Sequence, residues 1–177
     1  MSSFKIAVLS DTHKRGDLQQ EAILFAKSKG AEYLLHLGDL ESLENLEMLK
    51  NSNLPYAAVF GNNDANLISY YNSFKIKKEP YYLKIKNTTI KMMHLPYYMS
   101  SDCDIVLYGH LHKFSVNMQN GTLFLNPGEI CARQKNLTEF AIIEVCSNFF
   151  MVNYFYKEPN SKNWNEKNYN FKRQNEQ

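Results

Sequence analysis

Apolar residues fall along this chain in short runs, and several runs stop abruptly at a small or charged residue. Ile6-Ala7-Val8-Leu9 leads into Ser10-Asp11-Thr12-His13, and Tyr33-Leu34-Leu35-His36-Leu37 leads into Gly38-Asp39. Residues 56–60 end at Gly61-Asn62-Asn63-Asp64, Ile90-Lys91-Met92-Met93 at His94, and residues 104–108 at Gly109-His110-Leu111-His112. Runs of this length, bounded by polar residues, predict buried strands. Between the first of them, residues 16–29 carry Leu18, Ala22, Ile23, Phe25 and Ala26 at helical spacing, with Gly30 as a stop. Residues 42–50 place Leu43, Leu46 and Leu49 on one face of a second helix, which Pro55 ends. The N-terminal part therefore predicts βαβαβ, with parallel strands and right-handed crossovers.

After Asp64 the rhythm changes. Residues 65–74 predict a short helix or loop. Residues 81–85 and 90–94 flank the polar turn Lys86-Asn87-Thr88-Thr89 and predict a hairpin. Two more follow, residues 114–118 with 123–125 across Asn120-Gly121, and 140–145 with 149–156. The expected class is α/β (an α+β sandwich): two mixed β-sheets packed face to face with flanking helices. Its N-terminal strands should be parallel and its C-terminal strands mostly antiparallel. Residues 1–156 form one expected domain. Residues 157–177, rich in Asn, Lys, Glu and Gln, read as a polar C-terminal tail packing loosely or not at all, with Trp164 as its anchor.

Asp11 and His13 are two residues apart, so an extended backbone would point both side chains to one side. A carboxylate beside an imidazole suits a divalent metal, while a helix-capping Asp with a surface His explains that pair equally well. Recurrence separates the two readings. Asp11, His13, Asp39, Asn62, His94, His110 and His112 each follow an apolar run, so a shared sheet would line them along one edge. The carboxyl ends of strands are where such sheets bind ligands. His36 lies inside a strand and reads as a packed, hydrogen-bonded residue. Carboxylate, amide oxygen and imidazole suit Mn²⁺, Fe, Zn²⁺ or Ni²⁺ and fit Ca²⁺ poorly. The set exceeds one tetrahedral site, and two ions sharing a carboxylate would use all of it. Paired ions on phosphoryl chemistry generate hydroxide and bind the phosphate oxygens.

Composition narrows the picture further. A length of 177 residues fits one domain, and a net charge of +2 offers no strong nucleic-acid signal. No apolar run approaches a membrane span. The apolar N-terminus reads as a first strand rather than a signal peptide. Cys103, Cys131 and Cys146 form no CxxC pair, against a disulfide framework or thiolate zinc site; each reads as a small buried or semi-buried residue rather than a nucleophile. A cytoplasmic location is expected.

The segments Asp11-Thr12-His13, Gly38-Asp39, Gly61-Asn62-Asn63-Asp64, His94 and Gly109-His110-Leu111-His112 resemble, in order and spacing, the calcineurin-like metallophosphoesterases. The small size and Asn126-Pro127-Gly128 are most similar to the compact bacterial and archaeal phosphodiesterase branch, which also contains the small retromer subunit. The resemblance implies a four-layer fold and two divalent ions, Mn²⁺ first, with Ni²⁺, Zn²⁺ or Fe as alternatives. It implies Asp11, His13 and His112 on the first ion, Asn62, His94 and His110 on the second, and Asp39 bridging them with an attacking water or hydroxide. Gly38 and Gly109 would let the backbone turn sharply beside the ions. The implied activity is hydrolysis of a small phosphodiester or phosphomonoester. The competing reading is a weak or inactive member acting as a protein–protein scaffold. Antiparallel edge strands also offer a surface for a homodimer.

This chain departs from the pattern at three points. Asn63 stands where many members have His and compact ones often have Cys; an amide donates to a phosphate oxygen but is no general acid. Asp64 then reads either as an orienting partner for Asn63 or as a helix cap. Leu95-Pro96-Tyr97-Tyr98 follows His94, its tyrosines either packing the sandwich, the preferred reading, or lining the substrate pocket. Glu129 stands where a small hydroxyl residue is common. Arg133 is a candidate phosphate contact against the alternative of a solvated surface residue.

Overall fold

The computed structural model describes residues 3–173. Its strands are β1 (Phe4–Leu9), β2 (Tyr33–His36), β3 (Tyr56–Val59), β4 (Ile76–Lys77), β5 (Tyr81–Ile85) and β6 (Thr88–Met93). They continue as β7 (Ile105–Tyr108), β8 (Ser115–Gln119), β9 (Thr122–Asn126), β10 (Thr138–Val145), β11 (Phe149–Lys157) and β12 (Asn165–Lys172). Helices α1 (Gly16–Ser28) and α2 (Leu43–Asn51) separate the first three strands, and a 3₁₀ turn covers Ala65–Tyr70. Seven strands form one sheet in the order β12-β11-β10-β1-β2-β3-β4, and five form the other in the order β5-β6-β7-β9-β8. The predicted βαβαβ start is present, β1, β2 and β3 being parallel.

Alternation along β1 explains the layers. Ile6 and Val8 face the second sheet, meeting Ile90, Met92, Ile105 and Leu107, while Ala7 and Leu9 face Leu18, Ala22 and Leu46 of the helices. Each of the buried Ile, Val, Leu and Met side chains contributes about 1.5–3 kcal/mol, the alanines less. Ser42 caps α2 by accepting the Asn45 N–H. Both helices lie on the first sheet; the outer face of the second is covered by the loop after His94. There the buried Lys91 ammonium donates to the carbonyls of Tyr98 and Ser100 and pairs with Asp102. No helix among the described residues is long and apolar enough to cross a membrane.

Both sheets are mixed as expected, and the C-terminal strands pair mostly antiparallel, β6, β7 and β9 being the parallel exception. Two expectations need correction. The candidate donors do not share one sheet: β1, β2 and β3 end in the first, β6 and β7 in the second. Nor is the stretch after residue 157 loosely packed. β12 pairs with β11 along its whole length, and Trp164 stacks on Phe25 and meets Phe140 edge-on. Tyr169 and Phe171 reach the inter-sheet core from a strand otherwise polar on both faces, so the hydrophobic pattern was too thin to read. The last four residues of that expected tail, 174–177, lie outside the described residues.

Candidate metal centre

The two sheets bring their strand ends together because glycines leave room. Gly38 has φ +96°, and a Cβ there would lie 2.6 Å from the Gly61 nitrogen and 2.9 Å from His94 Nδ1. A Cβ on Gly109 would fall 2.2 Å from Ser10 Oγ, so this position needs closeness rather than the sharp turn expected of it. The β1 and β2 loops are then tied by backbone bonds, Asp11 N–H to Gly38 O and His13 N–H to Asp39 O.

At five of the seven donors the backbone is not extended. Asp11, His13, Asp39, His110 and His112 all lie in the left-handed region, with φ of 55°, 49°, 58°, 66° and 51°. Each such non-glycine residue costs about 1–2 kcal/mol. Asp11 and His13 therefore converge through tight turns and not through strand alternation, a correction to the sequence reading. Strain repeated at the same few residues is a mark of a functional site.

Asp39 lies at the middle. Its Oδ2 is 3.8 Å from His13 Nε2 and 3.5 Å from His94 Nε2. On one side His13 Nε2 lies 3.5 Å from His112 Nε2, which is 3.2 Å from Asp11 Oδ1. On the other, His94 Nε2 lies 2.9 Å from Asn62 Oδ1. The exposed His110 packs edge-on against His94 at 5.1 Å, and its N–H donates to Asp11 Oδ2. All seven predicted donors are thus in one place.

The hydrogen bonds behind the rings decide which nitrogens face inward. His13 Nδ1 meets Glu41 Oε1 at 2.6 Å, His112 Nδ1 meets Glu129 Oε2 at 2.5 Å, and His94 Nδ1 donates to the Leu37 carbonyl at 2.8 Å. Each Nδ1 keeps its proton, which turns the Nε2 lone pair inward. Lone pairs of His94, Asn62 and Asp39 therefore converge without a proton between them. Asp11 Oδ1, fully buried, has no hydrogen-bond partner among the described residues. Acceptors that converge in this way, one of them orphaned, fit a cation. Two close clusters emerge, Asp11 with Asp39 and His94, and His13 with His112 and Cys131.

Electrostatics agree with this layout. Burial works to raise the Asp39 carboxyl, but His94, the two bonds from Asn63 and His13 outweigh it and hold it below the usual carboxylate range. Burial dominates at Asp11 and raises it despite His94, Ser10 and His112. At His112 burial is outweighed by Glu129 and Asp11, which lift it above the ordinary histidine value. Glu129 is driven down to about 2: burial opposes ionisation, but His112 and the N–H groups of Gln134 and Lys135 win.

The remaining predicted residues take other places. Asn63 faces Asp39, its backbone N–H donating to Oδ1 and its amide to Oδ2. Asp64 stands at the N-cap position of the 3₁₀ turn, but among the described residues its carboxylate bonds neither that turn nor Asn63; it accepts the N–H groups of Asp39, Glu41 and Gly61. Arg133 is exposed and, among the described residues, makes no hydrogen bond or ion pair, though its charge acts on His112. Tyr97 and Tyr98 are 74% and 45% exposed, so they do not pack the sandwich. Cys131 is buried as expected, donates to Glu129 and is pushed up to about 12, first by burial. Sequence reasoning missed Glu41 and Glu79; Glu79 accepts the His94 and Leu95 N–H groups. It noted Glu129 only as a departure, and a carboxylate two residues after Asp39 was the one local sign of Glu41. A cavity of about 720 Å³ opens beside Asn62, lined by Phe60, Ile68, Tyr71 and Lys78.

Fold and donors together define a phosphoesterase-type metal site, and residues 4–148 match the calcineurin-like phosphoesterase superfamily domain, to which this chain belongs. Among curated relatives, phosphodiesterase MJ0936 of Methanocaldococcus jannaschii is 26% identical over 156 residues, 79% of this chain and 92% of that protein. The protein named probable metallophosphoesterase YsnB, of Bacillus subtilis, is 29% identical over 162 residues, 85% of this chain and 89% of its own length. In fold the chain is similar to vacuolar protein sorting 29 of Cryptosporidium parvum, with TM-score 0.77 and 21% identity over 97% of this chain and 99% of that one.

Proposed function

We propose that this chain is a phosphodiesterase working with two divalent ions, Mn²⁺ first, with Ni²⁺, Zn²⁺ or Fe also compatible with the donors. The observation that carries the reading is the Asp39 carboxylate oxygen facing His13 Nε2 and His94 Nε2 at once. Asp11, His13 and His112 would hold one ion and Asn62, His94 and His110 the other, with Asp39 between. When bound, such a pair supplies hydroxide near neutral pH and positive charge for the phosphate oxygens.

The chain's own residues do the rest. Asp39, held ionised, fixes the spacing of the two halves. Its bond from the Asn63 amide can be exchanged for one to a phosphate oxygen, which orients the ester. Asn63 supplies no proton to the leaving group, so esters with good leaving groups are the favoured substrates. The ester's organic group has room in the cavity lined by Phe60, Ile68 and Tyr71. Arg133, exposed beside His112, is free to meet a second phosphate oxygen.

The scaffold reading has one observation in its favour, the exposed Ile68, Leu111 and Tyr97 at 62%, 51% and 74%. The complete donor set weighs against it, since a binding surface has no use for an orphaned buried acceptor. The deciding experiment strips the protein of metal and assays an activated aryl phosphodiester and its monoester with Mn²⁺, Ni²⁺ or Zn²⁺ added in turn. Metal-restored diester cleavage is expected. Ions bound without cleavage of either ester would favour the scaffold.

A further inference from the structure

We infer that the two ion positions are unequal, and that Glu41 and Glu129 make the position at His13 and His112 the tighter one. This rests on the metal-dependent reading above and concerns what lies behind the donors. The His13 and His112 rings are nearly parallel, with centroids 5.3 Å apart, and both Nε2 atoms face the same point. Behind each ring is a carboxylate, Glu41 on His13 Nδ1 and Glu129 on His112 Nδ1. A carboxylate there fixes the tautomer, orients the ring and raises the basicity of the inward nitrogen.

Glu129 is fully committed to this task. It is wholly buried, its Oε1 accepts the N–H groups of Gln134 and Lys135, and its Oε2 also accepts from Cys131. Held on four sides, it cannot swing round to bind an ion itself. Cys131, bonded to Glu129 at 3.3 Å, belongs to the same support.

The other position has no such backing. His94 Nδ1 meets only the backbone carbonyl of Leu37, and Asn62 is uncharged. Among the described residues the exposed His110 ring makes no hydrogen bond. Asp11 and Asp39 lie close to both positions, and the Glu79 carboxylate near the second is taken up by the backbone N–H groups of His94 and Leu95, so what sets the first position apart is the pair of carboxylates on its imidazole Nδ1 atoms. The two ring-backing carboxylates, by fixing the rings and raising the basicity of their inward nitrogens, favour loading of the first position before the second.

Stepwise titration of metal-stripped protein with Mn²⁺, followed by calorimetry and by the paramagnetic signal of free and bound ion, tests this. Wild type is expected to bind in two steps at least tenfold apart, with spin coupling between ions only in the second. E41Q and E129Q should each weaken the tighter step by roughly 10–100-fold, and leave the weaker step within about twofold. E129D should recover part of the loss. If E129Q does not fold, E41Q carries the test, because the Glu41 carboxylate bonds only to His13 among the described residues. Equal steps in wild type, or glutamine variants that lose both steps alike or neither, would overturn the inference. Absence of any bound ion in wild type would instead remove the metal-dependent function on which it stands.

Discussion

The Asp64 carboxylate accepts the backbone N–H of Asp39 at 2.9 Å, and so fixes the residue at the middle of the site from a loop 25 residues away. The same carboxylate holds Glu41 and Gly61. Asp64→Ala would leave these donors unpaired in a buried setting, where each costs about 1–3 kcal/mol. Some relief by water leaves an expected loss of about 2–4 kcal/mol in urea unfolding. Metal content should fall with it, and Asp64→Asn should retain more of both.

Asp39→Asn should abolish turnover and lower metal content at both positions, because the amide offers one neutral oxygen where the carboxylate faces two imidazoles. Metal analysis alongside the diester assay checks this. Normal metal content with retained activity would exclude a bridging role.

Replacing Asn63 by His places a proton donor next to the scissile phosphate. Hydrolysis of alkyl esters, whose leaving groups need a proton, should rise relative to aryl esters. An unchanged preference across a series of leaving groups would mean that protonation does not limit the rate.

Acid should reveal the His112–Glu129 pair in metal-free protein. Glu129 has its pKa lowered on folding, so its contribution is complete above about 4.5 and is lost as pH falls towards about 2. His112 has its pKa raised, so its contribution is complete below its ordinary 6.5 and fades as pH rises through the folded value. The pair therefore stabilises most in mildly acid solution. Glu129→Gln should flatten that part of the stability profile relative to wild type in denaturant unfolding across pH.

Trp164 joins β12 to α1 and β10 through Phe25 and Phe140, with ring centroids 5.2 Å and 5.0 Å away. Trp164→Ala should cost about 1–3 kcal/mol and speed amide exchange in β12 before that in β10. A tail without structural weight would show neither effect.

Much of the site was legible because its signals are local. A buried strand must be apolar and must stop where the chain leaves the sheet, so Ile6 to Leu9 before Asp11, or Ile105 to Tyr108 before His110, identifies both an element and its chemical end. The packed state of His36 was legible for the same reason: it lies within a strand, and its ring bonds Thr12 and the Gly38 N–H. The edge strand β12 was not legible, since only Tyr169 and Phe171 of it reach the core and a mostly exposed edge needs little apolar alternation.

The sequence by itself determined which residues are candidate donors and that they stand at strand ends, because hydrophobic runs and their boundaries follow from burial alone. Only the tertiary structure decided that those ends belong to two sheets meeting across Gly38 and Gly109. It also decided that Asp64 grips Asp39, and that Glu129 lies behind His112, 17 residues earlier in the chain. Such hydrogen bonds join groups whose separation depends on how loops cross, and no local pattern of polar residues encodes that distance.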